Sequence, residues 1–146
     1  MKHIILTICL YTFIIFFAGC KKDNTNQTFD ISTIVGSWEL RQAQSGMIPG
    51  SNYSPGNSNI LKFTSTDYQL YSNGLVKSGK YIIVMDPTSV TGECIDITSG
   101  QYLNRIIFDN NRNDSKRIEI TSNNKLTFLS GCAALDSGSY SEYEKQ

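Results

Sequence analysis

From Trp38 onward apolar residues recur at every second position, and no later stretch keeps the three-to-four spacing of a helix. Trp38, Leu40 and Gln42 share one side of the chain while Glu39 and Arg41 take the other. Leu61 and Phe63 flank Lys62, and Tyr68 and Leu70 flank Gln69. The same alternation places Ile95 and Ile97 around Asp96, Ile118 and Ile120 around Glu119, and Leu126 and Phe128 around Thr127. Side chains of an extended strand point alternately to its two faces, so each run predicts one buried face and one wet face. Tyr81–Met85 and Ile106–Phe108 are more continuously apolar and predict strands covered on both sides. Turn chemistry separates the runs at Thr66-Asp67, Asn73-Gly74, Asp86-Pro87, Ser99-Gly100, Asn110–Ser115, Asn123-Asn124 and Ser137-Gly138.

The runs lie near 37–46, 59–64, 67–72, 78–85, 93–98, 102–109, 116–121, 125–130 and 138–145. Strands at short, even spacing predict an all-β antiparallel up-and-down meander, and closure into a β-barrel removes its exposed edges. A closed meander needs an even strand number. One run is therefore merged with a neighbour or lies off the barrel, and the pair 93–98 and 102–109 is the weakest. Before the first strand, Ile31–Val35 predicts a short N-terminal helical turn.

Residues 1–19 stand apart from this pattern. A basic start, Met1-Lys2-His3, leads into the apolar run Ile4–Phe17, which ends at Ala18-Gly19-Cys20. That run is about fourteen residues, short of the roughly twenty that span a bilayer, and its order is that of a secretory signal peptide. Residues 20–30 are polar and predict a flexible tether, leaving 31–146 as one β domain.

Composition narrows the chemistry. The 13 Lys plus Arg balance 13 Asp plus Glu without clustering, so no nucleic-acid partner is expected. The sole histidine, His3, leaves with the leader, which excludes Ser-His-Asp and Cys-His arrangements and His-bearing zinc sites. Asp96 and Glu119 alternate outward and read as solubilising groups, not as an acid/base pair. Asp109, Asn111 and Asn113 match the first ligand positions of a calcium loop, but Asp114 replaces its glycine and Ile120 its terminal acid. A polar hairpin loop is the expectation there. No enzyme activity, cofactor or metal is predicted.

Phe17-Ala18-Gly19-Cys20 resembles the lipobox of bacterial lipoproteins, which implies that Cys20 is acylated and becomes the first mature residue. Several acyl chains would hold such a protein firmly. With Cys9 lost and Cys20 lipidated, Cys94 and Cys132 remain. An exported pair is expected to close as a disulfide if four strands separate them and put both at one end; merged runs would leave two separate buried thiols. On the chain-entropy account that bridge stabilises the fold by about 3–4 kcal/mol.

Gly36-Ser37-Trp38, at the head of the first strand and behind a helical turn, reproduces the Gly-x-Trp of lipocalins. With the strand series and the terminal Tyr140–Gln146, residues 31–146 resemble the lipocalin-like domain of Bacteroidetes-type lipoproteins. Thr66-Asp67-Tyr68 does not stand where that family carries its late Thr-Asp motif, and no late arginine matches the one that covers the tryptophan.

The resemblance implies an envelope lipoprotein that binds a small hydrophobic molecule inside the barrel. Lys21 after the cysteine does not match an inner-membrane retention aspartate, which favours the outer membrane, on either face. The inward set would be Trp38, Leu40, Phe63, Leu70, Ile95, Ile97, Ile106, Phe108, Ile118, Ile120, Leu126 and Phe128. Trp38 would plug the closed end, and the long loop Met47–Ser58 would span the opposite end, either as a tolerated surface insertion or as a ligand-gating lid. The same side chains could instead fill a small barrel completely. An alternative of a different class is a non-enzymatic interaction or inhibitor module that docks another envelope protein through its outer face or end loops.

Overall fold

In the computed structural model, which describes residues 29–87, 102–131 and 138–146, the chain enters through a four-residue helix, α1 (Ile31–Ile34). Asp30 caps it by accepting the Ser32 amide at 2.9 Å. A single turn is unstable alone. Ile34 is fully buried, and the Ile34 carbonyl accepts the Trp38 indole N–H at 2.6 Å. The expected helical turn is present because the core below holds it.

Nine strands follow among the described residues: β1 (Gly36–Ser45), β2 (Ile48–Asn52), β3 (Ile60–Phe63), β4 (Asp67–Ser72), β5 (Leu75–Met85), β6 (Asn104–Phe108), β7 (Lys116–Ile120), β8 (Lys125–Ser130) and β9 (Ser139–Lys145). All pairings are antiparallel. β1, β3, β4, β5, β6, β7, β8 and β9 form a ring that β9 closes on β1, so the barrel has eight strands with β2 as an extra one. β5 pairs directly with β6 from Tyr81↔Phe108 to Met85↔Asn104, so the ring closes without the run expected at 93–98, which lies outside the described residues.

Two expectations near β1 need correction. The segment Met47–Ser58 is not a lid over the barrel end. β1 is long enough to carry two partners on one edge, with β3 beside Gly36–Glu39 and β2 beside Gln42–Ser45. Tyr53 N donates to Arg41 O at 2.8 Å and Leu40 N to Asn59 O at 2.9 Å, so β2 and β3 act as one interrupted strand. Only the stretch around Ser54–Ser58 leaves that line, and it folds back on β1. Gly56 N donates to Glu39 Oε1 at 2.8 Å, and Asn57 Nδ2 to Leu40 O at 2.9 Å. Glu39 is consequently not a wet outer residue: it is 3% exposed, held by Arg41 at 2.7 Å, while Arg41 also reaches Glu144 at 2.8 Å.

The core is a continuous cluster of Ile34, Trp38, Leu61, Phe63, Tyr68, Tyr81, Ile106, Ile118, Leu126 and Phe128. Its aromatic rings meet edge to face, with centroids 4.9 Å apart for Phe63 and Tyr81 and 4.7 Å for Tyr68 and Phe108. Double coverage is found on part of the wall only. Ile106 and Ile107 are both buried, and so are the outward Arg117 and Thr127, whereas the outward Ile82 is exposed. The outer cover over β6–β8 therefore does not reach β5, contrary to the reading of Tyr81–Met85. Arg117 lies inside that cover and donates to the backbone carbonyls of Asp86 and Tyr102, while Arg105 pairs with Asp86 at 2.6 Å. Together they fasten both described ends of the β5–β6 connection to the outer wall.

Candidate functional site

Strand direction fixes two ends. β1 starts beneath α1, and the ends of β3, β5, β7 and β9 return there with Phe63, Met85, Ile120 and Lys145. At the α1 end Trp38 is fully buried. Trp38 stands opposite Lys145 in the β1–β9 register, which brings Lys145 Nζ to 5.1 Å from the indole ring and within 3.3 Å of Thr33 O. The residue that covers the tryptophan is thus a lysine and not the arginine of the resembled family. The glycine of Gly-x-Trp has a physical reason too. Gly36 has φ +132°, and a Cβ there would lie 3.1 Å from Lys145 Cε.

At the opposite end the barrel interior opens as a cup of about 110 Å³. Leu61, Tyr68, Leu70, Phe108, Phe128 and Tyr143 form its apolar wall, with Ser141 beside them. Lys77, Asp114 and Lys116 complete the lining. Neither lysine forms a salt bridge among the described residues. The Tyr68 hydroxyl donates to Asp109 Oδ2 at 2.8 Å, and Asp109 Oδ1 accepts the Lys80 amide at 3.0 Å. Burial pushes the Tyr68 and Tyr143 phenols above their ordinary range, so both stay neutral donors. Exposed apolar residues stand on two hairpins: Met47 and Ile48 where the chain turns into β2, and Leu75 and Val76 after the Asn73-Gly74 turn.

The predicted inward set divides between these places. Leu70, Phe108 and Phe128 line the cup, while Trp38, Phe63, Ile106 and Leu126 pack in the filled middle. Ile118 and Ile120 face the α1 end, and Leu40 is half-buried opposite Tyr143. Ile95 and Ile97 lie outside the described residues, as do Cys20, Cys94 and Cys132. Leu61, Tyr68, Tyr81 and Tyr143 belong to the interior or its lining but were not in the set. The alternation that picked out their neighbours could have found Leu61 and Tyr68. Lys77 and Lys116 had no sequence signal, because which lysines reach the mouth depends on register.

A second, larger cleft of about 740 Å³ lies at the α1 end. Phe29, Asp30 and Thr33 form one side, and Leu103, Asn104, Ile118, Ile120, Asn124 and Lys145 are among the residues opposite. Glu119 also borders it, and burial raises the Glu119 carboxyl above the usual range.

Among the described residues no three His, Cys, Asp or Glu side chains gather as a metal site. In the calcium-like segment Asp109 is engaged by Tyr68 and Lys80, and Arg112–Asp114 forms a 3₁₀ turn. The cup offers shape, apolar surface and two cations, which suits binding. No protein-family model, curated protein or solved structure matches this chain.

Proposed function

We propose that this protein is a lipid-anchored envelope lipoprotein, attached at the outer membrane through Cys20, whose lipocalin-like barrel binds a small hydrophobic molecule without catalysing a reaction. The observation that carries the reading is the apolar cup bordered by Lys77 and Lys116. Its volume of about 110 Å³ is below the ~300–1,000 Å³ of typical ligand pockets. The cup therefore takes one compact apolar group, and any remainder of the ligand stays outside. Extraction of the membrane-purified protein and mass spectrometry of its small molecules tests this. A stoichiometric apolar compound is expected, and Leu70→Trp, which fills the cup, should lose it while keeping a folded barrel. Retention of the same compound by Leu70→Trp would contradict the site.

A second reading rests on a different observation. Met47, Ile48, Leu75 and Val76 expose apolar surface on hairpins, as a module that docks another envelope protein would. Crosslinking in intact cells separates the two readings. A single partner lost on Leu75→Asp together with Val76→Asp supports docking, and an unchanged crosslinking pattern removes it.

A further inference from the structure

We propose that the cup takes the apolar end of a small organic acid whose carboxylate is met at the rim by Lys77 and Lys116. This rests on the reading of the cup as a ligand site and adds the charge of the ligand. Both lysines stand at inner-face positions of the barrel wall. Lys77 lies opposite Leu70 in the β4–β5 register and alternates with Gly79 and buried Tyr81. Lys116 lies opposite buried Ile106 in the β6–β7 register and two residues before buried Ile118. Directly opposed residues share a face of the sheet, so both side chains rise from the same inner surface as the apolar wall. Lys77 is exposed and Lys116 half-buried, and both border the cup, within reach of a ligand seated in it.

A lysine on the inner face of a small barrel loses part of its hydration, a cost that a nearby anion offsets. Among the described residues neither Lys77 nor Lys116 forms an ion pair. The neighbouring acids are placed elsewhere. Asp114 is exposed on the 3₁₀ turn outside the strand ladder, and it is the only carboxylate among the described lining residues. Asp109 stands behind Tyr68, where it accepts the Tyr68 hydroxyl and the Lys80 amide. Burial raises the Tyr68 phenol and the Lys77 ammonium acts against that rise, which sets Lys77 beside the Tyr68 hydroxyl at the rim. Two cations against one acid leave the lining positive. The volume of about 110 Å³ admits a phenyl-sized body, as an apolar cavity of ~150 Å³ admits benzene, but no long acyl chain.

The test titrates phenylacetate, its neutral isostere phenylacetamide and the cation phenethylammonium into the full mature chain, each followed by amide chemical shifts. Phenylacetate is expected to shift the Leu70, Lys77 and Lys116 amides saturably, with a dissociation constant on the order of millimolar for about ten non-hydrogen atoms. It should bind about fivefold more tightly than the amide, the effect of two rim ion pairs of ordinary strength. That gap should narrow as salt is added, and the cation should bind most weakly of the three. Lys77→Met and Lys116→Met should each narrow the gap to about twofold, and the double variant should close it. Lys77 is exposed, so Lys77→Met reads the gap even if Lys116→Met does not fold. Equal binding of acid and amide, a gap that survives the double variant, or tightest binding of the cation overturns the proposal and leaves the cup as an apolar site. Absence of saturable shifts with all three probes, or shifts that Leu70→Trp leaves in place, removes the cup itself and this proposal with it.

Discussion

Gly79→Ala should destabilise the barrel although glycine is a poor strand residue, because the added methyl meets the Asp109 carboxylate. Gly79 lies opposite Tyr68 in the β4–β5 register. A Cβ on it would stand 1.9 Å from Asp109 Oδ1, 2.7 Å from Cγ and 2.9 Å from Oδ2. Asp109 has little room to retreat through its backbone, which is set at φ 52° in a turn. Its side chain must swing away, releasing the Tyr68 hydroxyl and the Lys80 amide. Two hydrogen bonds to a carboxylate are worth about 1.5 kcal/mol each, the low end because the Lys80 amide can turn to water. Alanine regains about 0.7 kcal/mol through the lower entropy of the unfolded chain. The net loss is about 2 kcal/mol, or a melting temperature lower by about 8 °C for a domain of this length.

Urea or thermal unfolding of the four members of a double-mutant cycle with Asp109→Ala checks the cause. Without the carboxylate, Gly79→Ala should be neutral or stabilising, giving a coupling of about 2 kcal/mol. The poor fit of alanine to the positive φ of that turn position affects both arms and cancels. If Gly79→Ala costs as much in the Asp109→Ala background as it does with Asp109 in place, or stabilises the wild type, the carboxylate is not what the glycine accommodates.

Trp38→Phe should cost about 2–3 kcal/mol in urea denaturation, since it removes the donor to the Ile34 carbonyl and leaves a gap under α1; Lys145→Ala should cost no more than about 1 kcal/mol. Burial first, then the hydrogen bond to Glu142, pushes the Tyr140 phenol up to about 12. Its contribution to stability is complete below pH 10 and is lost as pH rises from there to about 12, so stability should fall over that window, and less so in Tyr140→Phe. In acid two glutamates act oppositely. Arg41 holds Glu39 below its ordinary value of 4.5, so its contribution is present above 4.5 and disappears as pH falls through the lowered value. Burial raises Glu119, so the native state binds the extra proton and stability rises as pH falls from the raised value toward 4.5. Glu39→Gln should flatten the first slope and Glu119→Gln the second, read from unfolding midpoints between neutral pH and about pH 3. Intact mass of the membrane-extracted chain should show acyl groups on Cys20 and, before reduction, two hydrogens fewer at Cys94 and Cys132.

The β class was legible because alternation and turn chemistry are local. Asn73 and Gly74 both take the positive φ that a tight hairpin needs, and Leu126 and Phe128 are buried as their spacing required. Pairing across the sheet is not local, and it decided the rest. Nothing adjacent in the sequence says that β1 would be shared between β2 and β3, which made the segment after β1 half of an interrupted strand and buried Glu39 beneath it. The register of β9 on β1 set Lys145 over Trp38, and the register of β5 on β4 required a glycine at 79 so that Asp109 could reach Tyr68. Side-chain period chooses which face of a strand is apolar. Only closure of the ring chooses which residues meet inside it, and so which end holds the lysine-edged cup and which the buried Trp38.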